Sequence, residues 1–229
     1  MNDPAENSAS PQQTSASDQA RMAFVLRMRE RGIADVNVLR ALETVPRDQF
    51  VPRRYADLAW KDISLPIACG QIMPAPYIAA LTMEALALNK QQSVLEIGAG
   101  SGYSTAILAR LAGRVVSFER YRTLAVEAEA RLAAADADNV TIRCDDGFSA
   151  LEDLAAFDRI VVHMALVSVP DGLRLKLNPG GRLVYGRALG DGHSAGLVVS
   201  ELVAGKMAKE KFIASVRLSG PVNGVSKAL

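Results

Sequence analysis

Acids stand where three successive strands of this chain should end: Glu96 in "VLEIGAGSGY", Glu119 in "VVSFE", and the Asp145–Asp146 pair in "CDDG". Gly98, Gly100 and Gly102 follow the first acid in G-x-G-x-G spacing, which lets the backbone bend and approach a ligand without a Cβ in the way. A dinucleotide fingerprint needs G-x-G-x-x-G, and the sixth position here is Tyr103. A phosphate-cradling loop needs G-x-x-x-x-G-K-[ST], and no lysine is present. The acids suit a cationic or hydroxyl-bearing ligand instead. Glu96 is placed to meet an ammonium, directly or through water, and Glu119 to accept both hydroxyls of a ribose. One of Asp145 and Asp146 is placed to accept from an adenine amine, and the other reads as a turn residue. An amino acid, a sulfonium, a ribose and an adenine without phosphate describe S-adenosylmethionine.

Other chemistry is sparse. Two cysteines, Cys69 and Cys144, and two histidines, His163 and His193, make neither a disulfide framework nor a metal-ligand set. Cys69 has no adjacent base or cation to activate it and reads as a small space-filler. His163 reads as a strand-end histidine with a satisfied hydrogen bond. The 229 residues are 49% hydrophobic and 22% charged, with formal net charge +1, so nothing points to nucleic acid or a membrane surface. No apolar run reaches the ~18 residues of a membrane span. The opening stretch has no basic start and no apolar centre, unlike a secretory leader. Residues 1–19, rich in Ser, Gln, Asn and Ala, are expected to be a disordered tail, and the compartment to be the cytoplasm.

The elements that must hold the acids follow from periodicity. "ARMAFVLRMRERGI" places Met22, Val25, Leu26 and Met28 near helical spacing from Ala20, and Asp35 opens a second helix through "VNVLRALETV". Five prolines between Pro46 and Pro76 predict a long irregular connection. From Pro76 onward helix and strand alternate: helix 76–88, strand 92–99, helix 101–112, strand 114–119, helix 122–135, strand 139–146. A short helix is expected over 148–156, then a strand over 157–165 and a helix over 169–177. Pro179-Gly180-Gly181 leads into a strand to Ala188, and residues 195–203 and 210–218 read as an antiparallel edge hairpin. Such alternation implies a mostly parallel sheet covered on both faces. Residues 20–75 form an N-terminal helical cap and residues 76–229 the S-adenosylmethionine-binding α/β domain.

The chain resembles the protein-L-isoaspartate (D-aspartate) O-methyltransferases. "GIADVNVLRALETVPRDQFVP" and "YADLAWKDISLPIACGQ" are similar to the family's N-terminal signatures, and "APYIAALTMEAL", "VLEIGAGSGYSTAILARL", "VVSFER", "DDG", "FDRIVV" and "LNPGGRLV" continue in its order. The resemblance implies a class I methyltransferase, Rossmann-like α/β fold, with S-adenosylmethionine held by Glu96, Gly98, Gly100, Ser101, Gly102, Glu119, Asp146 and Gly147. It implies isoaspartyl-containing peptides or proteins as substrate, met by a pocket of Gln71, Ile72, Met73, Pro74, His163 and Met164. A carboxylate acceptor is ionised near pH 7 and is itself the nucleophile, so no general base is required.

Three segments depart from the family. Where its members read G-Q-T-I-S, with a serine that helps hold the acceptor carboxylate, this chain reads Gly70-Gln71-Ile72-Met73-Pro74. Both hydroxyls are gone, and proline brings no backbone N–H, so no catalytic residue is assigned. His163 and Met164 replace small residues on the other side of the pocket, and "VYGRA" replaces a Pro-Val-Gly turn. Two interpretations stand: other donors hold the same acceptor, or the acceptor has changed. A methyltransferase with a different acceptor and a non-catalytic S-adenosylmethionine-binding protein are the alternatives.

Overall fold

The structure, a computed structural model, describes residues 16–190 and 194–226. Most of the expected tail lies outside the described residues. Its last four residues belong to α1 (Ala16–Glu30), which starts ahead of the expected Ala20. Apolar spacing marks where burial begins, and a helix can run on past that point. Phe24 and Met28, one turn apart, carry the burial, while Met22 and Leu26 are exposed. α2 (Val36–Thr44) opens as expected at Asp35, whose carboxylate accepts from the N–H groups of Asn37 and Val38. It buries Val38, Leu39, Ala41 and Leu42. The proline-rich connection is irregular, with three short 3-10 turns and a small antiparallel hairpin of β1 (Leu65–Pro66) and β2 (Ile72–Met73).

The alternating region follows: α3 (Pro76–Leu86), β3 (Ser93–Ile97), α4 (Tyr103–Leu111), β4 (Arg114–Glu119), α5 (Arg122–Ala134), β5 (Val140–Cys144) and β6 (Phe157–Leu166). Then come α6 (Asp171–Leu175), β7 (Leu177–Ala188), β8 (Ser194–Val203), β9 (Lys206–Met207) and β10 (Lys211–Arg217). The sheet runs β10-β8-β7-β6-β3-β4-β5, with β9 beside β8. Strands β3 to β7 pair in parallel, and β8 lies antiparallel to both β7 and β10.

Two expectations are corrected. Residues 148–156 make isolated turns rather than a helix. The Asp146 carbonyl accepts from both Ser149 and Ala150, and the Asp146 carboxylate takes the Phe148 N–H, so the backbone donors are spent locally. A segment this short carries the cost of helix nucleation with little propagation to offset it. Pro179-Gly180-Gly181 does not precede β7 but lies inside it. The pairing with β6 jumps from Phe157↔Leu177 to Arg159↔Arg182, and the extra residues are taken up as a bulge, with Gly180 at φ +73°.

Side-chain alternation divides the interior into two cores. Val94, Val115 and Val161 face α1 to α4 and part of α5, whereas Leu95, Ile97, Val116, Phe118 and Val162 face α6 and the 148–154 turns. Helices lie on both faces, unequally. The division decides where the acids of β3 and β4 go.

Candidate active site

β3 ends at Ile97, and the chain turns at once into α4. The N–H groups of Gly98 and Ala99 both donate to the Phe118 carbonyl, at 2.8 and 3.0 Å, which ties the turn to β4. Gly102 caps α4 at φ +87°, and a Cβ there would lie 3.1 Å from Ala128 Cβ, so glycine is required both for the backbone and for the approach of α5. Gly147 is required for space alone: a Cβ would meet Ile97 and Phe118 at 2.9 Å.

Between this turn, the β1–β2 hairpin and the end of β6 lies a cleft of about 880 Å³, its open mouth included. That is ample for a nucleoside-sized ligand. The turn contributes Gly98, Gly100 and Ser101 to its wall, and the ends of β4 and β5 contribute Glu119, Asp146 and Gly147. Gln71, Ile72, Met73 and Pro74 form the hairpin side, and His163 and Met164 the β6 side. Twelve of the fourteen residues expected from sequence therefore border one cavity; Gly102 and Glu96 do not.

Glu96 is a correction. The same alternation that buries Val94 turns Glu96 under α4, fully buried, away from any ligand. Its Oε2 accepts from the hydroxyls of Thr105 (2.5 Å) and Ser117 (2.7 Å), and its Oε1 lies 2.8 Å from His163 Nε2. Direct contact with a ligand ammonium is ruled out by this placement. A buried carboxylate must be matched by donors, and here three side chains from α4, β4 and β6 supply them.

Glu119 does reach the cleft. Its two oxygens accept from the N–H of Gly100 (2.8 Å) and of Tyr121 (2.9 Å), which orients the carboxylate and leaves each oxygen a lone pair. Asp146 is held similarly, by Phe148 N–H on Oδ1 at 3.0 Å and Gly224 N–H on Oδ2 at 2.8 Å. Burial pushes its carboxyl up, but those N–H groups, the Ser149 hydroxyl and the Arg120 charge outweigh it and hold the group below the ordinary aspartate range. Asp145 is exposed on the same rim, its carboxylate taken by the Asp146 N–H at 2.8 Å. Cys69 beside the hairpin is no nucleophile: partial burial and the charges of Glu119 and Glu127 push its thiol up.

Sequence reasoning missed three groups. Arg47, fully buried without a carboxylate partner, donates to the carbonyls of Ala59 (2.5 Å), Ile63 (3.2 Å) and Pro74 (2.9 Å), and so fixes the hairpin's exit. Thr105 and Ser117 hold Glu96; their spacing from it along α4 and β4 was the available signal. The segment after β10 crosses the cleft, where Leu218 and Val222 line the cavity and Arg120 Nε donates to the Gly224 carbonyl at 3.0 Å. Nothing in its composition announced that path.

The cavity's chemistry fits S-adenosylmethionine: hydrogen-bond-accepting carboxylates at two strand ends, apolar walls from Ile97, Phe118 and Met164, and a Cβ-free approach at Gly147.

Comparison with known proteins agrees. The family model described as Protein-L-isoaspartate(D-aspartate) O-methyltransferase matches residues 19–195. A protein-L-isoaspartate O-methyltransferase of Nitrobacter winogradskyi is 42% identical over 209 residues, spanning 91% of this chain and 95% of that protein. One from Maricaulis maris is 41% identical over 212 residues, spanning 93% of this chain and 98% of that protein. Among solved structures, a protein-L-isoaspartate O-methyltransferase superposes with a TM-score of 0.78 at 24% identity, over 89% of this chain and 66% of that one. A Plasmodium falciparum structure, described as a putative protein-L-isoaspartate O-methyltransferase in complex with S-adenosyl-L-homocysteine, superposes at 0.72 and 20% identity, over 88% of this chain and 95% of that one. These two show the fold, a class I Rossmann-like methyltransferase. With the family model covering most of its length and relatives this similar almost end to end, the chain belongs to the protein-L-isoaspartate(D-aspartate) O-methyltransferase family.

Proposed function

We propose that this protein is an S-adenosylmethionine-dependent methyltransferase that esterifies the free carboxylate of isoaspartyl residues in damaged peptides and proteins. Bound S-adenosylmethionine supplies an activated methyl group on a sulfonium. The observation that carries the reading is a glycine-turned, phosphate-free cleft with Glu119 and Asp146 on its rim, in a chain of this family. Glu119 holds the ribose hydroxyls. Asp146 accepts from the adenine amine, and Gly147 lets the base lie close. Gly98, Gly100 and Ser101 line the amino-acid end. Glu96 acts at one remove, by fixing α4, β4 and β6 around the turn.

The acceptor needs no general base, because an isoaspartyl carboxylate is ionised near neutrality. The remaining work is to hold it in line and keep water out. That work falls to the hairpin from Gln71 to Pro74 and to His163 and Met164 opposite. Among the described residues no helix is long and apolar enough to cross a membrane. Free Cys69 and Cys144 suit a reducing cytoplasm. The hydroxyl-free sequence at 72–74 favours a second reading, the same transfer to another acceptor. Methyl transfer to an isoaspartyl peptide, measured beside its aspartyl twin, separates the two.

A further inference from the structure

If the acceptor is an isoaspartyl carboxylate, as proposed above, the cleft must supply a donor to it, and the hairpin residues Ile72, Met73 and Pro74 bring no side-chain donor. The donors on the acceptor side are few. Gln71 Nε2 is committed to the Cys69 carbonyl (3.1 Å) and the Tyr121 hydroxyl (3.4 Å), and the Ser101 hydroxyl points at Met73 sulfur at 3.5 Å. Arg120 is tied to Gly224 at the Asp146 end. His163 is placed differently. It borders the main cleft and also a smaller cavity behind it, and Pro74 borders both with it.

Its ring is oriented from behind. Nε2 faces Glu96 Oε1, and Glu96 is fully buried with its other oxygen taken by Thr105 and Ser117. A carboxylate only accepts, so Nε2–H is the donor in that contact. Nδ1 is left over. It has no partner among the described residues, where the sealed side-chain nitrogens and oxygens lacking a partner are Arg47 Nε and Tyr103 Oη. Nδ1 is therefore accessible, on a residue that lines both cavities. A second nitrogen fixed by its neighbour's hydrogen bond is how proteins aim a histidine.

We propose that His163, backed by Glu96, is the positioning residue for the acceptor carboxylate, donating from Nδ1 to the substrate while Nε2 stays on Glu96. A hydrogen bond to an ionised acceptor is stronger than one between neutral groups, so a single donor on β6 suits a hairpin that brings no hydroxyl at 72–74.

The test compares an isoaspartyl peptide with the same peptide carrying a carboxamide in place of the free carboxylate. Both are titrated calorimetrically into wild type, His163→Leu, His163→Gln and Ser104→Ala, at a residue that borders both cavities with Pro74 and His163, each saturated with S-adenosylhomocysteine. Wild type should prefer the carboxylate by about tenfold or more, as a hydrogen bond to a charged group provides. His163→Leu should lose that preference and raise KM for the isoaspartyl peptide, with affinity for S-adenosylhomocysteine unchanged. His163→Gln, which keeps a donor, should recover part of it. Because His163→Leu leaves Glu96 short of a donor and can misfold, imidazole NMR of the wild type provides a second measurement. The chain has only two histidines, and the His163 resonance should move on adding the carboxylate peptide and stay on adding the carboxamide. An unmoved His163 resonance, or preference lost in Ser104→Ala but kept in His163→Leu, overturns the assignment and leaves the enzymatic reading standing. A wild type that neither binds nor methylates the isoaspartyl peptide overturns both.

Discussion

The backbone N–H of Gly224 donates to Asp146 Oδ2 at 2.8 Å, joining residues 78 positions apart across the rim of the cleft. The contact does not stand alone. Ser226 N–H donates to the Arg120 carbonyl at 2.9 Å, and Ala165 N–H donates to the Ser219 carbonyl at 2.9 Å, so the segment from Ser219 to Ser226 is pinned on both sides of the cavity. Asp146 thus serves the strap and, in the proposed reading, the adenine.

That double use has a pH signature. The folded Asp146 carboxyl titrates below its unfolded value, so its contribution to stability is present above the ordinary aspartate range and is lost as pH falls through the folded value. Asp146→Asn should cost about 1 kcal/mol at pH 7, since the amide oxygen still accepts but the charge is gone. Urea melts of both proteins should converge as the pH drops toward 3. A gap that persists in acid would place the effect elsewhere.

Arg47 predicts a larger loss. Burial lowers its guanidinium to about 10, so across the neutral range its desolvation opposes folding, and three carbonyls hold it in place. Arg47→Ala leaves those carbonyls unpaired around a cavity and should cost about 3 kcal/mol or more. Arg47→Lys should recover little, because an ammonium cannot reproduce the planar fork. Thermal melts measure both, and a Lys variant as stable as wild type would contradict the clamp.

Glu119 is the direct probe of cofactor binding. Glu119→Ala should weaken S-adenosylhomocysteine affinity about 10- to 100-fold, since hydrogen bonds to a charged acceptor are worth about 1.5–3 kcal/mol each. Glu119→Gln should lie between. Calorimetry showing equal affinity in all three would remove the ribose role.

Much of this arrangement was legible in the sequence, and the failures have physical causes. The strands came from apolar runs bounded by turn residues, and the glycine turn and strand-end acids came from residue type alone. Glu96 was misread because position at a strand end was weighed without the two-residue alternation that places it with Val94. Residues 148–156 have helical composition, but Asp146 captures their first backbone donors. The strap from Leu218 to Ser226 is held through its own backbone N–H and carbonyl groups, which its residue identities do not encode. The proposed role of His163 needed the side-by-side placement of Pro74 and His163, 89 residues apart in the chain.

Giving the hairpin the hydroxyls of the family pattern tests that role from the other side. Ile72 is 67% exposed and Pro74 is held only by its carbonyl, so Ile72→Thr with Pro74→Ser should fold. In the wild-type background the pair should raise kcat/KM for an isoaspartyl peptide only a fewfold. In His163→Leu it should recover about tenfold, the value of one donor to a charged acceptor. Equal gains in both backgrounds would show that the two sites act independently.

The most direct measurement of the central claim offers the full chain an equimolar mixture of an isoaspartyl peptide and its aspartyl twin, with methyl-labelled S-adenosylmethionine. Label in the two peptides is then read by mass spectrometry. The account predicts a labelled methyl ester on the isoaspartyl peptide and an unlabelled aspartyl peptide. Saturable cofactor binding with no label in either peptide, or equal label in both, would contradict it.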